Sequence, residues 1–315
     1  MNIDFLKNTE LPLVIRPTND CSLTGLLDYF STSREFLFGK LHEAGALLFR
    51  GFNIGTPQAF ERLAQAWAPE LAHYEGGDSP REKITSNVYT STSFPPEEHI
   101  SMHNEKSFSN NYPSLVFFFC EIAPTKGGET PLLDGRRLYN MLDPALIRRF
   151  KDKKLKYVMN LHGGHGLGKS WQTCFEQSNP KLVESYLEKI GAAYQWKPDG
   201  GLRTEECVMP VIQHPKTGEW AFFSQADQWH PSRWDDETLA DLSEIMAEED
   251  FFHHCYYGDG SALDPKDLDQ IRAIAGKERV LFPWQKDDFL VVDNLICLHG
   301  RQPFEGPRRI LVSMA

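Results

Sequence analysis

The residues that first suggest a chemical function lie in the stretch SMHNEKS, where His103 and Glu105 are separated by one position. In an extended segment, residues i and i+2 point to the same face, so an imidazole nitrogen and a carboxylate oxygen can converge on one ion. A second imidazole from elsewhere would complete the two-histidine, one-carboxylate set that holds Fe(II) and leaves positions open for substrate and O2. A surface pair without any ligand is the alternative that this spacing leaves open.

The distant histidine that fits this set best is His299, which ends the apolar run FLVVDNLICLH and precedes a glycine. A histidine at the end of a buried strand lies where a site would be lined, although it could equally bond to a neighbour in the core. His253 and His254 adjoin in an acidic stretch with helical character, and HGGHGLG reads as a glycine-rich loop. These other histidines are therefore weaker ligand candidates.

The elements that would position these residues are mostly strands. Apolar runs rich in β-branched and aromatic residues predict strands at LPLVIRP, GALLFRGF, SLVFFFCEIA, VMPVIQHPKTGEWAFFSQA, DFLVVDNLICLHG and RRILVSMA. Helical periodicity is found in residues 33–42 and 57–67 and in DPALIRRFKDK, PKLVESYLEKIGAA, DETLADLSEIMAEEDFF and DPKDLDQIRAIAG. The pattern predicts a mainly β fold with flanking helices.

Composition limits the partners that this chain would bind. The 315 residues carry 33 basic and 44 acidic side chains, and this net charge of −11 argues against binding to nucleic acid or to an anionic membrane surface. No apolar run is long enough to span a bilayer, and the N-terminus lacks a signal-peptide profile. We expect a cytoplasmic protein with one domain over residues 1–315 that acts on a small molecule.

The chain resembles the TauD/TfdA family of Fe(II)/2-oxoglutarate-dependent dioxygenases. The likeness rests on VYTSTSFPPEEHISMHNEKSFSNNYPSLVFFFCEIAPTKGGETPLLDGRRLY and on DNLICLHGRQPFEGPRRILVSMA, and it extends to SPR, GLRTEE and HPKTGEWAFFSQADQWHP. Within the family, the sequence looks most like the syringomycin-biosynthesis hydroxylase branch. The resemblance implies a double-stranded β-helix, or jelly roll, of the clavaminate synthase-like type.

Carried onto this sequence, the resemblance implies three metal ligands, His103, Glu105 and His299. The family also binds the distal carboxylate of 2-oxoglutarate with an arginine about ten residues after the distal histidine. Here that position falls in GPRRILV, and Arg309 is the predicted residue, with Arg308 as the alternate. A guanidinium suits bidentate recognition of a carboxylate. Thr130 in GGETP matches the family's threonine that contacts this cosubstrate.

The implied activity is oxidation of an unactivated C–H bond, coupled to conversion of 2-oxoglutarate and O2 to succinate and CO2. Halogenation is disfavoured, because the related halogenating enzymes lack a carboxylate at the position of Glu105. The branch likeness suggests hydroxylation of an amino acid or an amino-acid-derived group in antibiotic or other natural-product biosynthesis, either free or tethered to an acyl or peptidyl carrier protein. Desaturation, epoxidation or cyclisation at the same iron centre stay open, as do a zinc hydrolase and a non-catalytic metabolite-binding jelly roll.

Substrate-contacting residues are predicted from their positions beside the matching motifs. Two arginines are candidates for a substrate carboxylate or a phosphopantetheine phosphate, while ordinary packing or surface pairing is the alternative for every member of the set. The set comprises Tyr74, Asn87, Ser107, Gln225, Arg203 and Arg301.

Overall fold

The computed structural model of the protein describes residues 1–6, 9–77 and 79–315. Its strands are β1 (Asn2–Phe5), β2 (Leu13–Arg16), β3 (Ala46–Phe49), β4 (Tyr89–Thr90), β5 (Ile100–His103), β6 (Leu115–Ile122), β7 (Lys126–Gly127), β8 (Leu132–Asp134), β9 (Leu155–Leu161), β10 (Ala193–Trp196), β11 (Leu202–Val208), β12 (Val211–Gln213), β13 (Trp220–Phe222), β14 (His253–Tyr257), β15 (Phe289–Asp293), β16 (Cys297–Arg301), β17 (Phe304–Glu305) and β18 (Arg309–Met314).

The helices are α1 (Leu23–Thr32), α2 (Arg34–Ala44), α3 (Pro57–Trp67), α4 (Gly135–Met141), α5 (Pro144–Lys153), α6 (Trp171–Cys174), α7 (Pro180–Ile190), α8 (Ala226–Trp229), α9 (Asp236–Ile245) and α10 (Pro265–Glu278), with short 3-10 turns at Pro231–Arg233 and Glu248–Asp250. Several begin with proline behind a capping side chain. Thr56 accepts the amide of Ala59 at the start of α3, and Asp264 accepts the amide of Lys266 at the start of α10. Such caps satisfy amides that the first helical turn leaves unpaired.

A seven-stranded sheet forms one wall of the fold. Its strand order is β1-β2-β3-β15-β6-β18-β4, and neighbours are antiparallel except β2 and β3. Because side chains alternate between faces, Phe117 and Phe119 of β6 pack beneath α1 and α3, whereas Val116 and Phe118 point to the opposite face. Both faces of the central strands are therefore buried.

A small sheet with the order β5-β16-β8 lies over that opposite face. Phe118 and Ile310 of the large sheet share a buried cluster with Leu132 and Cys297 of the small one. This face-to-face packing places the end of β5 and the whole of β16 over the large sheet. A four-stranded sheet, β10-β11-β9-β14, packs with α5, α7 and α10 around a separate buried cluster.

The predicted mainly β fold with flanking helices is confirmed, and α3 has the predicted bounds. Two local predictions are wrong. The run over residues 288–300, predicted as one strand, forms two strands, β15 and β16, joined by a short connection that contains Asn294. His253 and His254 lie in strand β14, because this segment pairs with β9 in the core of the four-stranded sheet. The single-domain interpretation stays a prediction.

Candidate metal centre and adjoining cavities

Three side chains converge between the two facing sheets. One ligand atom each from His103, Glu105 and His299 lies within 4.8 Å of the others. The register of β5 and β16 brings the two histidines together, because His103 is the direct partner of His299. Their ring centroids are 4.5 Å apart, and the Glu105 carboxylate approaches Nε2 of His299 at 3.7 Å. The predicted set is therefore brought together by β pairing across 196 positions of sequence.

Glu105 lies in a turn beyond the end of β5 rather than in an extended strand. Buried Asn294 fixes that turn: its Oδ1 accepts the Glu105 amide at 2.7 Å, and its Nδ2 donates to the Glu105 carbonyl at 3.0 Å. Lys106 then adopts a φ of 54°, in the left-handed region that non-glycine residues rarely occupy. The backbone thus turns directly after Glu105, and Asn294 from the β15–β16 connection holds the main chain of that residue.

The ring of His103 is held by its Nδ1 edge. Nδ1 lies 2.9 Å from the carbonyl oxygen of Ser101, and the side-chain amide of Gln228 lies 2.9 Å from Nδ1 and donates to that same carbonyl at 3.1 Å. The two contacts suit opposite tautomers, because the Ser101 carbonyl accepts from a protonated Nδ1 whereas the Gln228 amide donates to an unprotonated one. With a metal on Nε2 the proton lies on Nδ1, and the Ser101 carbonyl is placed to accept it.

Arg81 neutralises the buried carboxylate of Glu105. Its Nη2 lies 2.9 Å from both carboxylate oxygens, and its guanidinium packs 4.0 Å from the centre of the Tyr74 ring. Burial by itself raises the pKa of Glu105, but Arg81 and His299 outweigh burial and hold that pKa well below its usual range. The carboxylate is therefore charged at neutral pH, as a metal ligand must be.

These residues fit Fe(II). Two imidazoles and one carboxylate on one side of an ion form the facial set of non-haem iron oxygenases, with the remaining positions open. Within the described part of the chain, Nδ1 of His299 is buried without a hydrogen-bond partner, which marks a polar atom whose surroundings the protein alone leaves incomplete. The donor set suits a metal between the three side chains, where Nε2 of His299 faces the Glu105 carboxylate.

A narrow cavity on one side of the cluster is lined by Phe118, Thr130, Arg308 and the three ligand residues. Arg308 extends beside the 127–130 loop, where its Nε donates to the Gly128 carbonyl at 2.9 Å and its Nη1 donates to Ser91 Oγ at 3.2 Å. Burial lowers the pKa of Arg308 to about 10, so the guanidinium is charged at neutral pH. The Thr130 hydroxyl accepts from the indole of Trp284 at 3.2 Å.

The structure does not bring Arg309 to this cavity. Its Nη1 pairs with Glu121 at 3.1 Å, and 40% of its side chain is exposed. Arg308, directly before β18, instead lines the narrow cavity together with Val312, which belongs to the cluster between the two sheets. The prediction of Arg309 is corrected to its alternate, Arg308.

A wider cavity of about 650 Å³ opens on the other side of His103. It shares Thr92, Ile100 and His103 with the narrow cavity, so the two spaces meet at a candidate metal ligand. Such a volume is typical of a small-molecule site. Its wall includes Gln228 of α8 and the C-terminal part of α10.

Of the predicted substrate residues, Tyr74 contacts the site through Arg81. Asn87 donates to the Leu71 carbonyl, and its amide bonds to Glu61. The hydroxyl of Ser107 donates to the Asn104 carbonyl inside the turn that contains Glu105. These contacts give Asn87 and Ser107 structural roles that leave neither side chain directed at the wide cavity.

The other three candidates are also engaged elsewhere. Gln225 donates to Gln228, which is the residue that reaches His103. Arg203 lies on β11 and contacts Glu205 and the Glu249 carbonyl. Arg301 borders the narrow cavity, but its guanidinium donates to the carbonyls of Thr92, Phe94, Pro95 and Glu98 at 2.6–3.3 Å. The guanidinium therefore holds the loop of residues 92–98 and is not available to bind a substrate anion.

Three residues near the site escaped sequence reasoning. Arg81 belongs to the SPR fragment that carries part of the family likeness. The sequence therefore marked this position, but it did not indicate what Arg81 contacts. Gln228 lies one helical turn beyond the predicted Gln225. Arg279 reaches the wide cavity from the end of α10, and no local pattern distinguishes it from the other arginines of the chain.

A second cluster has the same donor types. His42, His214 and Asp293 each offer a ligand atom within 4.8 Å of the others. Nε2 of His214 lies 3.2 Å from the Asp293 carboxylate, and Nε2 of His42 lies 4.0 Å from it. Nδ1 of His214, however, accepts the backbone amide of Thr217 at 3.1 Å. In the neutral ring that bond places the proton on Nε2, where it faces Asp293 and occupies the position that a metal would need.

Comparison with known proteins identifies the family. The model of the TauD, TfdA family of taurine catabolism dioxygenases matches residues 8–315. The dapdiamide synthesis protein DdaC of Enterobacter agglomerans is 34% identical over 97% of this chain and 91% of its own length. A clavaminate synthase-like protein of Arabidopsis thaliana is 29% identical, over 98% and 94% respectively. The chain belongs to the TauD/TfdA family and is a dioxygenase that uses Fe(II), 2-oxoglutarate and O2.

Solved structures agree on the jelly-roll fold. PvcB of Pseudomonas aeruginosa superposes with a TM-score of 0.53 at 14% identity, covering 98% of this chain and 92% of that one. An asparagine oxygenase solved with Fe(II), 3-hydroxyasparagine and succinate gives a TM-score of 0.53 at 14% identity, over 93% and 83%. The narrower likeness to the syringomycin branch stays a prediction. Among the described residues, no helix is both long and apolar enough to cross a membrane.

Proposed function

We propose that this dioxygenase hydroxylates an unactivated C–H bond of an amino acid or an amino-acid-derived small molecule in natural-product biosynthesis. The observation that carries the proposal is the meeting of two cavities at His103, one narrow and basic at its closed end, the other wide enough for a small molecule. DdaC is named for dapdiamide synthesis, and the asparagine oxygenase was solved with a hydroxylated amino acid. These names support an amino-acid-like substrate.

In this proposal His103, Glu105 and His299 hold the iron, while Arg308 and Thr130 bind the distal carboxylate of 2-oxoglutarate. Arg308 uses Nε and Nη1 for Gly128 and Ser91, and the rest of its guanidinium remains for a carboxylate at the end of the cavity. When bound, iron with 2-oxoglutarate and O2 supplies the oxidising power that converts the cosubstrate to succinate and CO2 and oxidises a C–H bond.

The protein residues contribute position and exclusion of water. Phe118 packs against the His299 ring at a centroid distance of 5.2 Å, which shields that side of the centre. Ser101 and Gln228 orient His103, and Asn294 orients Glu105, so both ligands are fixed before any ion arrives. Holding the reacting C–H bond beside such a preorganised centre is the main contribution that a protein makes to this chemistry.

The first experiment is an anaerobic titration of the metal-free protein with Fe(II) and then 2-oxoglutarate, followed by the visible charge-transfer band of the bidentate chelate. We expect the band in the wild type and its loss in His103→Ala. Mass spectrometry then separates the reaction types, since hydroxylation adds one oxygen atom to the substrate whereas desaturation removes two hydrogens. A folded wild-type protein that binds iron without producing the band would overturn the proposed site.

A further inference from the structure

The wide cavity carries arginines whose partners differ. Arg272 pairs with Asp227 and Asp269 and donates to Ser232, so its guanidinium is fully engaged. Arg233 donates to the Gln228 carbonyl at 2.6 Å and packs on Trp234. Both residues stabilise the wall of the cavity and are poorly placed to bind a ligand charge.

Arg279 differs from both. It is the residue directly after α10, where its amide closes the helix by donating to the Ala275 carbonyl. Across residues 1–6, 9–77 and 79–315, its half-buried side chain forms no ion pair and no hydrogen bond. Its charge still acts on the cavity: together with the larger effect of burial, it lowers the pKa of His99 on the same wall. A guanidinium thus faces the cavity that holds His103 without a protein anion to neutralise it.

An opposite charge lies on the same wall. Glu98 lines the cavity, and its backbone is fixed by a 2.9 Å hydrogen bond from Arg301 to its carbonyl. Its carboxylate makes no ion pair with any described residue. A half-buried, unpaired guanidinium and an exposed, unpaired carboxylate that line one cavity are complementary to a zwitterion, in which a carboxylate and an ammonium group lie a few bonds apart.

We propose that Arg279 binds the free carboxylate of the substrate, with Glu98 facing its ammonium group, so that the wide cavity selects a free α-amino acid. The inference rests on the proposed function and narrows it to untethered substrates. Because the protein has a net charge of −11, its overall electrostatic field does not attract an anionic group. The affinity for the substrate carboxylate must therefore come from local contacts. Arginine suits the role because its planar fork can give a carboxylate two parallel hydrogen bonds.

The test uses the full-length holoenzyme with Fe(II), 2-oxoglutarate and O2. The probes are the proteinogenic L-amino acids, each paired with its α-amide, and the readout is succinate formed above the substrate-free rate. We expect at least one free acid to stimulate turnover and its amide not to. Arg279→Met should raise the apparent KM for that acid by about 30-fold, and Arg279→Lys should restore part of the loss, because it keeps the charge without the fork.

The matched control is Lys277→Met, which removes a charge from the same helix at a side chain that is 79% exposed and outside the cavity. It should leave the KM for the acid unchanged. The dissociation constant for 2-oxoglutarate, read from the chelate band, should be equal in the wild type and in Arg279→Met, since Arg279 does not line the narrow cavity.

Three outcomes would overturn the inference: equal stimulation by acid and amide, stimulation only by aminoacyl-pantetheine thioesters, or no stimulation by any free acid. The thioester result would indicate a carrier-tethered substrate or a phosphate ligand for Arg279. In all three outcomes, a chelate band in the wild type keeps the proposed oxygenase centre, whereas loss of that band would remove the proposed function itself.

Discussion

Two clusters among the described residues contain two histidines and a carboxylate, and their hydrogen-bond partners differ. In the first, Nδ1 of His103 lies 2.9 Å from both the Ser101 carbonyl and the Gln228 amide, so an acceptor is available for a proton on Nδ1. In the second, Nδ1 of His214 faces the Thr217 amide, a donor. The partner of the remote nitrogen sets the tautomer, and the tautomer decides whether Nε2 offers a lone pair or a proton. Donor types and proximity alone do not define a metal site.

The surroundings reinforce this contrast. The first cluster adjoins the narrow cavity, in which part of the Arg308 guanidinium is available. The second cluster lies beside Arg136, which is already engaged by Asp134, Glu219 and the His42 and Glu43 carbonyls. A guanidinium with unused donors can bind a carboxylate, whereas the Arg136 guanidinium beside the second cluster is already saturated by the protein.

The largest expected difference in activity is between variants that lack a histidine of the first cluster and a variant that lacks a histidine of the second. His103→Ala and His299→Ala should abolish succinate formation and lose the bound Fe(II), because each removes a ligand. His42→Ala should retain both the iron and the activity. Iron content by inductively coupled plasma mass spectrometry, with succinate assays on the same samples, measures the difference. Equal loss of iron from His42→Ala and His103→Ala would break the comparison.

Substitutions in the second cluster should change the free energy of unfolding. His214→Ala removes the partner of a carboxylate that is only 3% exposed, and we expect the free energy of unfolding to fall by about 3 kcal/mol. Asp293→Asn is the matched variant: its amide oxygen still accepts from Nε2, so the loss should stay within about 1 kcal/mol. Urea unfolding of the metal-free proteins tests both. Comparable losses in the two variants would contradict the tautomer assigned to His214.

The cosubstrate side of the first cluster can be tested with adjacent arginines. Arg308→Met should raise the KM for 2-oxoglutarate by about 30-fold, because it removes the charged partner of a carboxylate. Arg309→Met should leave that KM within about twofold, since an exposed ion pair with Glu121 is weak. Steady-state kinetics at saturating O2 provide both values. A larger effect from Arg309 would restore the original prediction for that residue.

The smallest effect concerns the support of His103. Gln228→Leu removes the amide that lies against Nδ1 and bonds to the Ser101 carbonyl, and we expect Fe(II) affinity to fall by about tenfold. Gln225→Leu removes only a contact to Gln228 and should cost less. Competition with a chromophoric chelator gives both affinities. Unchanged affinity in Gln228→Leu would mean that Ser101 orients the ring without help.

The sequence allowed the proximity of His103, Glu105 and His299 to be predicted because each is marked locally: an HxE spacing and a histidine at the end of an apolar strand. The geometry behind the spacing is less regular than predicted, since Glu105 leaves the strand and depends on Asn294, 189 positions away. A hydrogen bond between residues so far apart in the sequence leaves no local pattern. The same holds for Arg81 and Gln228, whose contacts cross 24 and 125 positions.

The choice between Arg308 and Arg309 shows another limit. Alternation reveals the inner face of a strand only when the other face meets water, and β18 is buried on both faces from Ile310 to Met314. The register also shifts between Arg309 and Ile310. Counting from His299 therefore located the arginine pair but not the member that faces the cavity.

Arg301 determines how freely the side chains of residues 92–98 can be replaced. Its guanidinium holds residues 92–98 entirely through main-chain carbonyls, so the path of that loop does not depend on which side chains it carries. Residues such as Glu98 can consequently be replaced without releasing the loop from the strand that carries His299. The segment beside the wide cavity is thus suited to diversification, in evolution or in a mutant library, while the strand that carries His299 stays unaltered.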